Sequence, residues 1–261
     1  MEANRGMSAA DRREAIVELL IAQQRAGIGE LAALFGVSHM TIRRDLEKLS
    51  AERRVTVGRG EARFSQYNGV EPDYAVKQGT NALLKAQLAR YAAENFVSDG
   101  DVIVLEGGTT VTAMARYLDG RERLTVITNG MYTTSELAWL LPAATVICTG
   151  GVLRGTSFTY VGPQVDDMLA GIHAHTLFMS ATGFTVEHGL TDPNPLEVQT
   201  RKHMAQCAER VVALIDSSKF GVVSMLQSAR TQDVDVFITN ADAPSHDIAL
   251  IRRAGVDVRL V

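Results

Sequence analysis

The chain of 261 residues is predicted to be α/β: a small unit of three helices and a β-hairpin, then a larger, Rossmann-like unit on a mostly parallel sheet. Three observations predict it. The length suits two domains better than one. Apolar residues recur at helical spacing as far as Leu49, then alternate from Val55 to Phe64. From Asp99 onward, seven continuous β-branched runs alternate with helical stretches, which is how strands buried on both faces of a parallel sheet read. The expected boundaries are 1–64 for the first unit, 65–80 for a linker and 81–261 for the second unit.

Composition narrows the classes. Apolar residues make up 46% of the chain and charged residues 21%, so a sizeable core is expected and a disordered chain is not. No repeat at solenoid or propeller periods is visible. Met1 to Gly6 lacks the apolar stretch of a signal peptide, and runs such as Val102–Leu105 are too short to span a bilayer. A soluble, cytoplasmic protein with no membrane partner is expected. Cys148 and Cys207 read as reduced thiols, and no Cys/His cluster has zinc spacing. His173 and His175 lack an evident third ligand, so neither a metal nor a cofactor is expected.

Net charge is −4, which by itself disfavours a nucleic-acid binder. Its distribution does not. Residues 1–64 carry 11 Lys and Arg against 9 Asp and Glu, and residues 38–63 carry 7 against 4. Local positive charge is what a DNA footprint requires.

In the first unit, Ser8 is the expected N-cap of a helix whose inward face carries Ile16, Leu19 and Leu20, and whose pattern fades at Ala26-Gly27. A short helix over Ile28–Phe35 follows, with Gly36 in the place of a left-handed C-cap. Ser38 caps the third helix, where Ile42, Leu46 and Leu49 point inward at i, i+4 and i+7. Helix, glycine-containing turn and helix form a helix-turn-helix signature, and its second helix enters the DNA major groove. The residues left outward are Ser38, His39, Thr41, Arg43, Arg44 and Lys48. Arginine there can bridge guanine O6 and N7, and Ser38 or Thr41 can hold phosphate or meet a thymine methyl. The hairpin, with Arg59 at its tip, reads as the wing of a winged helix-turn-helix. Taken alone, a run of arginines on a helix is more often a solvated face.

In the second unit, ligands are expected where the strands end. The first run is followed by Glu106-Gly107-Gly108-Thr109-Thr110 and a helix, a combination that brings backbone N–H groups and hydroxyls to an anion. The motif is equally compatible with a turn needed only for strand-to-helix geometry. It is neither a P-loop nor a dinucleotide fingerprint. Thr128 and Asn129, Gly151 and Arg154, Thr182 and Gly183, and Lys219 follow later runs, and Lys202 offers another cation. Together they describe a polar pocket.

The stretch from Glu30 to Leu49, with Val37-Ser38-x-x-Thr41-Ile42-Arg43-Arg44-Asp45-Leu46 at its centre, resembles the signature of the DeoR-type family of bacterial transcriptional regulators. So do Lys85-Ala-Gln-Leu-Ala89, Gly108-Thr-Thr110, Thr128-Asn129, Gly150-Gly151, Gly189-Leu-Thr191 and Asp216-Ser-Ser-Lys-Phe-Gly221. The resemblance covers almost the whole chain. It implies a sugar-phosphate isomerase-like sensor fold and a phosphorylated sugar as effector, held at Gly108-Thr109-Thr110 with Asn129, Gly151, Gly183 and Lys219 around it. Four positions depart from the family pattern: Glu61 in the wing where Gly is usual, Glu106 for Asp, Gly107 for Ser, and Asn240 for Asp.

The expected function is that of a repressor, bound to a double-stranded operator as a homodimer or tetramer, released by a phosphorylated sugar and without catalytic residues. The alternative is a sugar-phosphate isomerase-type enzyme with a fused accessory domain, in which Glu106 and Lys219 serve the chemistry.

Overall fold

The first helix, α1 (Ala9–Gln23), begins at a cap. Ser8 Oγ accepts from the Asp11 N–H at 3.1 Å and pairs with the Asp11 carboxylate at 2.7 Å. The computed structural model describes residues 7–23, 25–51, 54–58, 60–64 and 71–261. It divides into two units, 1–80 and 81–261.

In the first unit, α1 is followed by β1 (Arg25–Gly27), α2 (Ile28–Phe35), α3 (His39–Ala51), β2 (Val55–Gly58), β3 (Glu61–Phe64) and α4 (Tyr74–Gly79). Gly36 ends α2 at φ 64, a left-handed conformation that a side chain would strain. Ile16, Leu20, Leu31, Phe35, Ile42, Leu46 and Leu49 form one core. Asp45 is buried with them on α3 and takes Arg12 at 2.7 Å and Arg13 at 3.4 Å, tying α3 to α1. Two features depart from the sequence reading. Residues 25–27 form a third strand, antiparallel to β3, because their hydrogen bonds come from residues 61–63, far along the chain. The segment read as a linker contains α4, a helix of six residues and therefore too short to display a period.

The second unit starts with α5 (Ala82–Phe96), β4 (Val102–Leu105), α6 (Thr109–Thr112), β5 (Thr125–Thr128), α7 (Met131–Leu137) and β6 (Thr145–Cys148). A hairpin of β7 (Val152–Leu153) and β8 (Tyr160–Val161) leads to α8 (Pro163–Ala170) and β9 (Ala174–Met179). Then come β10 (Gly183–Thr185), β11 (Gly189–Asp192), α9 (Pro195–Gln206), β12 (Ala208–Leu214), β13 (Leu226–Ala229), β14 (Val236–Thr239), α10 (Ser245–Arg253) and β15 (Asp257–Leu260).

All seven predicted runs are strands of one parallel sheet, ordered β15-β14-β12-β9-β4-β5-β6. Side chains alternate across it. Val104 joins Val165, Leu177 and Phe237 on one face, while Ile103 and Leu105 join Leu88, Ala92 and Phe178 on the other. A separate antiparallel sheet, β10-β11-β13, did not read as strands in the sequence because its segments are short and polar. No helix among the described residues is long and apolar enough to cross a membrane.

The strand order positions the site. The chain runs outward from β4 through β5 to β6, then returns to lay β9 on the other side of β4 and continues to β15. The direction of winding reverses between β4 and β9. At such a switch point the loops leaving the carboxyl ends diverge and open a crevice.

A candidate DNA surface and a candidate effector crevice

On α3 the exposed residues are His39, Met40, Arg43, Arg44, Glu47, Lys48 and Ser50, with Ser38 exposed ahead of them and Thr41 half-buried. The Ser38 hydroxyl caps the helix: it accepts from the Thr41 N–H at 3.1 Å and is hydrogen-bonded to the Thr41 hydroxyl at 2.9 Å. Burial of Ile42, Leu46 and Leu49 turns the basic side chains to solvent. Arg59 lies outside the described residues.

The two loops of the switch point are residues 106–110, after β4, and 180–183, after β9. The first is pinned from below. Asn129 Oδ1 accepts from the Gly107 N–H at 3.0 Å, and Asn129 Nδ2 donates to the Tyr160 carbonyl at 3.1 Å. A Cβ on Gly107 would lie 2.7 Å from Gly130 Cα, so the β4 and β5 loops touch backbone to backbone and glycine is required there. Gly108 opens α6, and Gly108 and Thr109 are half-buried rather than sealed. Beyond β9 stands the turn after β12. There Asp216 accepts from the Ser218 N–H at 3.1 Å and Asn81 Nδ2 at 3.2 Å, leaving Lys219 half-exposed.

Beside these loops lies a buried ionic cluster. Helix α9 starts at a strong cap: Asn194 Oδ1 accepts from the N–H groups of Leu196 (3.0 Å) and Glu197 (3.2 Å), and Pro195 follows it. Glu197 and Arg201, four residues apart, share the inward face. Arg201 donates to Glu106 Oε1 at 2.7 Å and pairs with Asp192 through its other terminal nitrogen. Asp192 also accepts from the Thr182 N–H at 2.9 Å and from the Ser228 hydroxyl at 2.8 Å. Glu197 takes Arg154 at 2.5 Å and the Thr159 hydroxyl at 2.7 Å.

Burial alone would strip Arg201 of its proton more easily, but Asp192, Glu106 and Glu197 outweigh it and hold the guanidinium charged. Burial likewise would raise the Glu197 pKa. Arg201, the Ser157 hydroxyl, Arg154 and the Thr159 hydroxyl overcome this and lower it to about 2.

Residues 12–66 match the DeoR-like helix-turn-helix domain, and residues 80–241 match the DeoR C terminal sensor domain. The chain belongs to the DeoR family of transcriptional regulators. The uncharacterized HTH-type transcriptional regulator YulB of Bacillus subtilis is 33% identical, over 98% of each chain. The HTH-type transcriptional regulator GolR of Listeria innocua is 33% identical, over 96% of this chain and 98% of its own. A putative aga operon transcriptional repressor of Escherichia coli O157:H7 is 32% identical, over 96% and 93%. Among solved structures, ribose 5-phosphate isomerase A of Methanocaldococcus jannaschii is 20% identical over 54% of this chain and 55% of its own, with a TM-score of 0.39.

Within this DeoR-family chain the sequence-predicted pocket residues fall into three groups. Gly108, Thr109, Gly151, Thr182 and Lys219 are at least partly exposed at strand ends. Glu106, Gly107, Thr110, Thr128, Asn129 and Gly183 are buried, and Glu106, Asn129 and Thr128 have their side chains committed to Arg201, to two backbone groups and to the Gly130 N–H. Arg154 is bound to Glu197, and Lys202 is exposed on α9 while its neighbour Arg201 takes the inward position. Sequence reasoning passed over Arg201, Asp192 and Glu197. Their signal was the Asn-Pro start of α9 and the four-residue spacing, but their partners lie up to 95 residues away. Asn240, in place of the usual Asp, accepts from the Ser217 N–H at 2.7 Å and donates to its hydroxyl at 3.0 Å, so it shapes the turn that carries Lys219. Among the described residues, no group of His, Cys, Asp and Glu could hold a metal ion.

Proposed function

We propose that the chain is a repressor that holds a double-stranded operator through α3 and releases it when a phosphorylated sugar, or a similar anionic metabolite, enters the crevice between the β4 and β9 loops. The reading is carried by one observation: at the reversal of the sheet, half-open backbone at Gly108 and Thr109 stands across from Thr182, with Lys219 one strand further on. Backbone N–H groups at a helix start favour an anion, and Lys219 adds an ammonium. On DNA, Arg43 and Arg44 read bases, and Ser38, His39, Thr41 and Lys48 face the same groove. The protein acts in the cytoplasm as a dimer or tetramer, the arrangement that sets two recognition helices on a pseudo-palindrome.

The crevice is non-catalytic. Glu106, the carboxylate an isomerase would use as base, is 1% exposed and neutralised by Arg201, and Asp216 is spent on the turn after β12. Ligand binding to the native state raises the melting temperature. A thermal-shift panel of phosphorylated sugars, with the free sugars as controls, is expected to give a shift confined to a phosphorylated member. Turnover of any member by the purified chain would reverse the assignment to a non-enzyme.

A further inference from the structure

We propose that Arg201 is a positioning residue for the crevice: it fixes the loops after β4 and β9 in one register across the switch point. The proposal rests on the crevice being the effector site. The last backbone link between the two strands is the Glu106 N–H to the Phe178 carbonyl, at 3.1 Å. Beyond it the chains part. Arg201 bridges the gap from the side. One terminal nitrogen takes Glu106, the other takes Asp192, and the same Asp192 oxygen accepts the Thr182 N–H. A planar guanidinium donates in two fixed directions at once, which an ammonium does not.

Glu106 transmits this to the loop above it. A Cβ on Gly108 would lie 2.6 Å from Glu106 Oε2, so the carboxylate rests directly against the Gly108 backbone. Where Arg201 holds Glu106, Gly108 must sit. One turn earlier on α9, Glu197 holds Thr159, whose methyl packs on Gly107: it would be 2.7 Å from a Cβ there. Three buried carboxylates with one buried and one half-buried guanidinium are a poor source of stability compared with apolar packing. Their geometric effect is specific: α9 ties together the loops after β4 and β9 and, through Thr159, the segment that leads into β8.

The test uses the full chain and two variants. Arg201→Lys keeps the charge and loses the fork. Glu106→Gln leaves two carboxylates and two guanidiniums, a neutral set that favours folding. Hydrogen exchange is followed in residues 107–112, 180–183 and, as an internal reference, in β12. Affinity is measured for whichever phosphorylated sugar the panel yields. Arg201→Lys is expected to speed exchange at least tenfold in both loops with β12 unchanged, and to weaken the ligand at least tenfold. Glu106→Gln is expected to loosen only 107–112, because Asp192 still holds Thr182. Unchanged loops in a folded Arg201→Lys protein overturn the proposal, and so does acceleration spread evenly into β12, which is plain destabilisation. If Arg201→Lys does not fold, the Glu106→Gln result decides: selective loosening supports the proposal and wild-type exchange overturns it. If no panel member binds the wild type, the effector reading fails while the exchange measurement still judges the role of Arg201.

Discussion

The two units put most of their functional charge to different uses. In the first, Arg43, Arg44 and Lys48 stand in solvent on one face of α3, while the other face is apolar apart from Asp45, which is paired with Arg12 and Arg13. In the second, Glu106, Asp192, Glu197 and Arg201 are taken out of water and paired with one another. A charge left in solvent stays available to a partner, in the proposed function the phosphates and bases of DNA. A charge sealed among counter-charges is spent on geometry. The first unit thus presents side-chain charge on its surface, whereas the second builds a shape and offers mostly backbone.

Removing a sealed charge should therefore cost most. Arg201→Met leaves Glu106 and Asp192 buried without their cation, and the sensor unit should lose about 3–5 kcal/mol in denaturant unfolding. A loss under 1 kcal/mol would mean that water reaches the cluster. Arg43→Ala, by contrast, should leave stability unchanged within about 0.5 kcal/mol. It should weaken operator binding by about 1–3 kcal/mol without altering any ligand-induced thermal shift. Thr110→Ala should show the reverse pattern. If both substitutions damage both activities equally, the contrast between the units breaks.

Acid sharpens the comparison. The pKa of Glu197 is lowered from 4.5 to about 2, so its contribution is fully present above pH 4.5 and is lost as pH falls through about 2. The stability gap between wild type and Glu197→Gln should accordingly shrink across that window in urea titrations. A gap constant with pH would show that the lowered pKa has no counterpart in solution. At Gly36, exposed and at φ 64, Gly36→Ala should cost about 1 kcal/mol and shift the first unit alone.

The same contrast explains what was legible in the sequence. The seven runs became the seven parallel strands, and Ser8, Gly36 and Ser38 marked helix ends, because periodicity and capping are local. On α3 the outward residues follow from the inward ones, so the exposed basic face was readable. The crevice was readable only as a set of strand ends. Lys202 was chosen where Arg201 turns inward, and Glu106 and Arg154 were taken as ligand groups although both are held by α9. No periodicity announces which of two adjacent cations on a helix will meet a carboxylate that is distant in the chain. Strand β1 was missed for the same reason, since its pairing partner β3 is remote, whereas the β10-β11-β13 sheet was missed because its segments are short and polar.

The central claim is that DNA is held by one unit and surrendered when the other is filled. It is tested most directly by fluorescence anisotropy of the full chain on an operator selected from random DNA, with a phosphorylated sugar identified by thermal shift titrated in. A ligand shifts the balance only by its differential affinity for the two states. The account predicts that operator affinity falls at least tenfold as the sugar phosphate saturates, and that the free sugar does nothing. Operator binding that is unchanged or strengthened at saturating ligand would contradict it.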